Sequence, residues 1–580
     1  MALVSAPTAI RATVGDELVG DMRLLTPRRS AVLSGLLATV AALAAGELAA
    51  GIVPGWTSPV EAVGLSVIDL VPGPVERWAI ENLGSNDKPA LIGGTLALVL
   101  ILGGVLGALA RTRFRIAAAG VVALGLVGVA ATAFQTSITD GVPSVVTAVV
   151  GVALLGLLVR KAAAASTDPA PATDDPTGDQ PSASTGTENR SNGMRAGAAD
   201  RRVFLGLAGS VALASAAAAI GGRTLAGRQG QAVEAARASI ASEIAGATSA
   251  SPDAVGSATE RALGQVDSPL PPLPDGVDFG IDGLAPFVTP EDEFYRVDAA
   301  LVVPRVDPDG WSLRIHGMVD QELEFGYEEL LRRPDLMEAD ITLTCVSNEV
   351  GGDLVSSARW TGVPLANLLE EAGVQAGADQ VVGRSVDDWT GGFPVDVATD
   401  GRNAIVALLM NGQPLPAERG FPARLVVPGI YGYVSATKWL TEIELTTFAE
   451  FDMYWVQRGW DELAPIKTQS RIDVPAPLER VAPGQVVVAG VAWDQTVGIQ
   501  KVEIRVDDGE WNEAELALEA NADTWRQWRW AWPDATPGSH RLTVRATNAN
   551  GEVQTEERQP PFPNGASGWM TLLVTVAEGA

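Results

Sequence analysis

Four uncharged apolar runs constrain this chain more than any other feature. Residues 31–53, 90–110, 116–134 and 142–159 contain no histidine and only one charged side chain, Glu47. In hydrocarbon every backbone polar group must be paired within its own segment, so runs of this length are predicted to be membrane helices, about 1.5 Å per residue across about 30 Å. Arg11, Arg23, Arg28 and Arg29 precede the first run, Arg111, Arg113 and Arg115 join the second to the third, and Arg160-Lys161 follow the fourth. That distribution predicts a cytoplasmic N-terminus and a return to the cytoplasm after the fourth crossing. The mildly acidic stretch 54–89 suits the outer side. Spans so poor in ionisable groups offer no haem ligand, proton relay or ion path. Residues 1–161 therefore read as an anchor or docking platform rather than a transporter or cytochrome.

Residues 162–202 are rich in Ala, Ser, Thr, Pro and Asp without apolar periodicity, which predicts a disordered cytoplasmic linker. It ends in Arg201-Arg202-Val203-Phe204-Leu205 and an Ala/Gly/Leu run to Gly222. This resembles an internal twin-arginine export signal, and the same residues read equally as a fifth transmembrane anchor. Either reading places everything after about residue 222 outside the cytoplasm. Residues 223–277, helical and then Pro- and Asp-rich, are predicted to form a stalk. A net charge of −29 argues against a nucleic-acid groove, and an anionic cofactor would need a local basic pocket.

Cys345 is the only cysteine in 580 residues, and it stands where the strand-like Ile341-Thr342-Leu343-Thr344 gives way to a loop with Gly351-Gly352. One cysteine can form no internal disulfide, no CxxC zinc site and no iron–sulfur cluster. A thiol nucleophile needs an activating histidine, and the chain has only His316 and His540. A buried core residue is the plain alternative. A metal that takes its other ligands from an organic cofactor needs a single protein sulfur, and the count suits that case.

The residues around Cys345 resemble a family. Cys345-Val346-Ser347-Asn348, Gly351-Gly352 and Arg359-Trp360-Thr361-Gly362-Val363-Pro364-Leu365 are similar to the molybdenum-binding segment of the sulfite oxidase family of molybdopterin-dependent oxidoreductases, including its bacterial, membrane-anchored members. The resemblance continues in order through Phe294-Tyr295-Arg296, Trp311 to Gly317, Met410 to Pro416, Gly420 to Gly429 and Lys438-Trp439-Leu440. It implies an α+β molybdopterin domain over 278–471, with Cys345 as the molybdenum ligand. It further implies that Arg419, Arg424, Lys438, Ser435 and Gly432 hold the cofactor, Arg419 standing where many members carry histidine. Arg296 is implied to bind a substrate oxyanion, and Asn348 and Trp460 to belong to the catalytic set.

The implied reaction is two-electron oxygen-atom transfer on a small oxo-acceptor or sulfoxide-type substrate, with an external electron carrier, a cytochrome or quinone-linked, and no haem in this chain. Two departures argue against sulfite. Glu349-Val350 replace a pair of arginines, and at an effective dielectric near 20 a carboxylate about 6 Å from a dianion costs on the order of several kcal/mol before screening. Trp460 stands in the region of the family's active-site tyrosine and cannot replace a phenolic acid. The rival reading is a non-catalytic extracytoplasmic binding or docking protein on the same scaffold.

Residues 472–580 alternate apolar and polar in several runs, with turn signals at Asp507-Asp508-Gly509 and Asn548 to Gly551. They predict an all-β immunoglobulin-like sandwich. The family resemblance implies that such a module forms a homodimer.

Overall fold

The computed structural model describes residues 27–53, 56–72, 87–135, 138–165, 186–249 and 261–578, with isolated positions between 72 and 87. Two compact units divide at Gln229/Gly230.

The first unit is helical: α1 (Pro27–Ala50), α2 (Pro59–Leu70), α3 (Asp87–Gln135) and α4 (Val142–Ala165). By length and composition three of its helices could cross a membrane, Arg28–Ala50, Lys88–Phe134 and Ile138–Ala164. The second and third apolar runs form the single element α3, but Arg113, among the arginines of the expected loop, breaks it with φ −136° and ψ 61°. A Cβ added at Gly120 would meet Leu106 Cδ2 at 2.6 Å. Residues 14 apart would be about 21 Å apart along one straight helix, so the halves of α3 fold back on each other. Four membrane-length rods result. Small residues let them approach: a Cβ on Gly107 of α3 would meet the Gly35 Cα of α1 at 2.6 Å.

Helix α5 (Gly186–Ser249) begins inside the stretch expected to be a linker and runs through the Arg201-Arg202 pair and the fifth apolar run. Residues 166–185 lie outside the described residues, as does the whole stretch before α1.

The second unit begins well before residue 278. Val233, Ile244, Leu263 and Val277 are buried in its main core, so the expected stalk is part of the domain. Apolar burial of this kind stabilises by about 1.5–3 kcal/mol per large side chain, which a free stalk would forgo.

Two sheets carry the α+β part. One has the order β2-β1-β10-β5-β6, formed by β1 (Ser312–Gly317), β2 (Leu323–Gly326), β5 (Gln380–Ser385), β6 (Thr390–Pro394) and β10 (Leu440–Thr446). The other has the order β3-β4-β7-β8, from β3 (Met337–Thr344), β4 (Val355–Pro364), β7 (Ile405–Met410) and β8 (Gln413–Pro414), with β9 (Arg424–Val426) also on β7. Ile405 to Met410 is uniformly apolar and fully buried, as expected of a strand covered on both faces. Four short helices follow the strands: α6 (Tyr327–Leu331), α7 (Leu365–Ala372), α8 (Val395–Thr399) and α9 (Gly432–Ser435).

The C-terminal part is the expected all-β sandwich, β11 (Gln469–Val474) to β19 (Met570–Val576). Its sheets have the orders β11-β13-β17-β16 and β12-β19-β18-β14-β15. Trp528, Val488, Val502, Ile504, Leu542 and Val544 fill the space between them. This sandwich also covers the edge of β3. Asn521 Nδ2 donates to Asp340 O at 3.1 Å, Thr342 N donates to Asp523 O at 3.0 Å, and Gln495 Nε2 donates to Thr342 O at 3.1 Å and Thr344 Oγ1 at 3.0 Å. An edge strand otherwise presents unpaired backbone groups, and here the neighbouring domain pairs them.

Candidate functional site

Strand β3 delivers Cys345. The β3–β4 hairpin pairs Thr344 with Val355, and Cys345 N donates to Leu354 O at 3.0 Å, closing the neck of a ten-residue loop, 345–354. Asn348 ties that loop: its N donates to Cys345 O at 3.0 Å and its Oδ1 accepts from Leu354 N at 2.9 Å. Both glycines of the loop pack against protein. Gly351 (φ 80°) packs on Met570 of the sandwich, and a Cβ on Gly352 would meet Asn348 Oδ1 at 2.6 Å.

Cys345 is 7% exposed and opens onto a pocket whose lining includes Tyr295, Asp298, Asp387, Trp389, Arg419, Arg424, Gly432, Tyr433, Lys438 and Trp455. Burial raises the thiol's pKa, partly opposed by hydrogen bonds from Ser347. A metal would reverse that by binding the thiolate.

Three cations meet the pocket by different routes. Arg419 ends a short 3₁₀ turn, Arg424 opens β9, and Lys438 precedes β10. Gly420 has φ 107°, and a Cβ there would meet Lys438 Cβ at 2.9 Å, so glycine permits the two segments to touch. Trp439 takes a left-handed φ of 49° and is 2% exposed, held by its Nε1 donating to Ala417 O at 2.7 Å.

The three differ in neutralisation. Lys438 Nζ donates to Asp298 Oδ2 at 2.7 Å, and the same oxygen accepts from Arg296 Nε at 2.8 Å. Arg419 donates to Glu291 O and Tyr295 O, and Arg424 to Arg419 O at 3.2 Å, with longer contacts to Leu425 O and Ala436 O. Among the described residues neither guanidinium has a carboxylate partner. Burial pushes Arg424 down to about 10 and Lys438 down to about 8. Two buried cations held only by carbonyl dipoles call for an anion.

The structure separates the expected set. Cys345, Arg419, Arg424, Lys438 and Gly432 line the pocket. Arg296, Asn348, Ser435 and Trp460 do not. Arg296 shares the Asp298 carboxylate oxygen with Lys438, and its side chain is 39% exposed. Ser435 is fully buried and its hydroxyl donates to Tyr431 O at 3.1 Å. Trp460 stands behind the lining, with ring centroids 6.2 Å from Trp455 and 5.7 Å from Tyr433. Glu349 is exposed and Val350 packs on the sandwich core, so the carboxylate reckoned at about 6 Å from the substrate does not reach the lining.

Besides the ion-paired Asp298, the carboxyl that reaches it is Asp387. Asp387 and Trp389 lie at the tip of the β5–β6 hairpin, where Ser385 N donates to Trp389 O at 2.9 Å and Asp388 has φ 62°. Burial raises the pKa of Asp387. Asp387-Asp388-Trp389 is a turn signal in the sequence, but nothing local directs it to Cys345.

The donor set fits a pterin-bound metal: one soft thiolate, two buried guanidiniums lacking a counter-charge, and a lysine. Comparison with known proteins agrees. Residues 300–455 match the oxidoreductase molybdopterin binding domain, and residues 469–544 match a bacterial Ig domain. Mitochondrial sulfite oxidase of Rattus norvegicus is 31% identical over 290 residues, 42% of this chain and 52% of the rat protein. Sulfite oxidase of Gallus gallus is 27% identical over 324 residues, 47% of this chain and 69% of the chicken protein. Among solved structures, the sulfane dehydrogenase SoxCD from Paracoccus pantotrophus matches at 22% identity with TM-score 0.44, covering 52% of this chain and 85% of that one.

The fold and pocket thus define a molybdopterin-binding oxidoreductase domain followed by an immunoglobulin-like one. Within that class, the chain is similar to the sulfite oxidases, which it matches over its second unit. It spans about half the length of the rat protein it matches.

Proposed function

We propose that this chain is a molybdenum-dependent oxidoreductase that moves an oxygen atom to or from a small neutral substrate of the sulfoxide or thioether type. The observation that carries the reading is the pair of buried, carboxylate-free guanidiniums, Arg419 and Arg424, on the pocket that Cys345 enters. A non-catalytic binding role gives no reason to keep that pair.

Cys345 would hold the molybdenum, and Arg419, Arg424 and Lys438 would hold the anionic end of the pterin. Bound there, the cofactor supplies two-electron oxygen-atom transfer. The chain's own residues do the rest. Asn348 and the Leu354 carbonyl hold the Cys345 loop in place. Trp389, Trp455 and Tyr433 form an aromatic wall that excludes water and suits a neutral, polarisable substrate. Asp387 holds or releases a proton at its carboxyl oxygen, and burial, by raising its pKa, brings that exchange nearer neutrality. An anion such as sulfite would approach two carboxyl side chains, Asp298 and Asp387, while Arg296 is engaged outside the lining.

The apolar helices support a membrane-embedded chain with a cytoplasmic N-terminus and an extracytoplasmic second unit, reducing or oxidising an external carrier. The sandwich is a candidate homodimer contact.

The test is metal and pterin content of the full-length protein, wild type beside Cys345→Ser, from a host that makes the cofactor. Near-stoichiometric molybdenum and pterin in the wild type, with the sulfur ligand signature lost from the metal's X-ray absorption spectrum in the variant, is the expected result. Absence of both from the wild type would overturn the reading.

A further inference from the structure

We propose that the sandwich domain builds part of the pocket wall: Phe562 and Asn564, on its loop 560–565, are positioning residues that fix how far Tyr433 and Trp455 project into the pocket and so set the size of substrate accepted. That this wall faces substrate rests on the proposed function. Between β18 and β19 the chain reads Gln559-Pro560-Pro561-Phe562-Pro563-Asn564-Gly565. Three prolines within four residues offer no N–H to a sheet ladder, and the segment leaves the sandwich. It reaches the α+β part at residues 455–467.

Two chains of contact run from that loop to the pocket. The first is aromatic. The Phe562 ring centroid is 5.3 Å from that of Trp460, edge-on at 80°, and a Cβ on Gly459 would come within 3.6 Å of Phe562 Cζ. Trp460 stands 5.7 Å from Tyr433 and 6.2 Å from Trp455, and both of those line the pocket. The second is polar. Asn564 Nδ2 donates to Asp461 Oδ2 at 2.7 Å, Asp461 N donates to Pro563 O at 3.2 Å, and Asp461 O accepts from the Tyr433 hydroxyl. Lys467 Nζ secures the loop, donating to Asn564 Oδ1 at 2.9 Å and to Gly565 O. Gly565, at φ 95°, lets the loop close on Tyr431, since a Cβ there would meet the Tyr431 hydroxyl oxygen at 2.5 Å. Tyr433 is thus held at its ring and at its hydroxyl by groups that the loop anchors.

Close-packed rings pass a displacement on to their neighbours. Shortening Phe562 to alanine leaves a void behind Trp460. As Trp460 settles into it, Tyr433 and Trp455 follow, and the pocket widens.

The test pairs a spectrum with a selectivity ratio in the full-length, cofactor-loaded protein. Labelling with 5-fluorotryptophan gives a fluorine resonance for Trp455, assigned by its loss in Trp455→Phe. In Phe562→Ala that resonance is expected to move. The KM for dimethyl sulfoxide should rise about tenfold while that for the bulkier methyl phenyl sulfoxide falls, with kcat and molybdenum content within about twofold of wild type. Phe562→Tyr keeps the ring and should restore both readouts. Should Phe562→Ala not fold, Asn564→Ala, expected to act in the same direction, decides. An unmoved Trp455 resonance, or KM values for the two sulfoxides that change by the same factor, would overturn the proposal. If the wild type turns over neither sulfoxide, the substrate reading fails and the Trp455 resonance alone decides this one.

Discussion

Asp298 carries two cations on one carboxylate oxygen, and its side chain is 4% exposed. Removing one member of a buried ion pair typically costs about 3–5 kcal/mol. Asp298→Asn should destabilise the cofactor-free protein by about that much, read from urea unfolding, and less when the pterin anion is bound. Lys438 adds a pH dependence of known sign. Its pKa falls from the ordinary 10.5 to about 8 in the folded protein because burial disfavours the charge. Between those values the unfolded chain holds more protons, so the cofactor-free protein should gain stability from this group as pH rises through the window. Affinity for the anionic cofactor should move the opposite way, falling as Lys438 loses its charge above about pH 8. At Asp387 the raised carboxyl pKa predicts that oxidation, which must shed protons, speeds up as pH rises through that titration. Asp387→Asn should flatten that limb of the kcat profile and lower kcat by about 10²-fold, with KM little changed.

Strand β3 is the element on which the site depends. Its sequence alternates Met337, Ala339, Ile341 and Leu343 with Glu338, Asp340, Thr342 and Thr344, and its end at Thr344 places Cys345 at the mouth of a hairpin loop. Its outer edge is finished by the sandwich through Asn521, Asp523 and Gln495. Gln495→Ala removes two buried hydrogen bonds, one of them to Thr344, the residue before Cys345. It should cost about 1–3 kcal/mol and hasten amide exchange at Thr344 and Cys345 while distant β1 and β10 stay protected. The rigid loop contrasts with the β5–β6 tip, whose Asp387 and Trp389 reach the same pocket from the other sheet.

At the scale of the whole chain, the division between the helical unit and the mixed unit falls within the residues of α5. The sandwich is integral to the second unit, since Trp525 Nε1 donates to Phe287 O at 3.0 Å and Trp525 N to Thr342 Oγ1 at 2.8 Å. A chain ended at residue 468 should therefore be insoluble or lose its cofactor, rather than merely become monomeric. Cofactor content of the soluble fraction checks this. The proposed crossings are checked by reporter fusions, with positions 112 and 163 expected inside and position 300 outside.

What the sequence determined by itself rests on composition and order. The uncharged runs prescribe helices, the lone cysteine limits the metal chemistry, and ordered motifs from Phe294 to Leu440 carry the family. Period-two alternation announces the sandwich. The tertiary structure alone decided which charges are used. Arg419 follows Glu418 directly and Arg424 lies six residues on, yet among the described residues neither pairs with a carboxylate, while Lys438 and Arg296 converge on Asp298 from 140 and 2 residues away. Glu349, next to Asn348, turns outward, and Asp387, over 40 residues from Cys345, turns in. The stalk became core for the same reason: side-chain direction and partner choice are set by long-range packing, and adjacency along the chain carries no information about either.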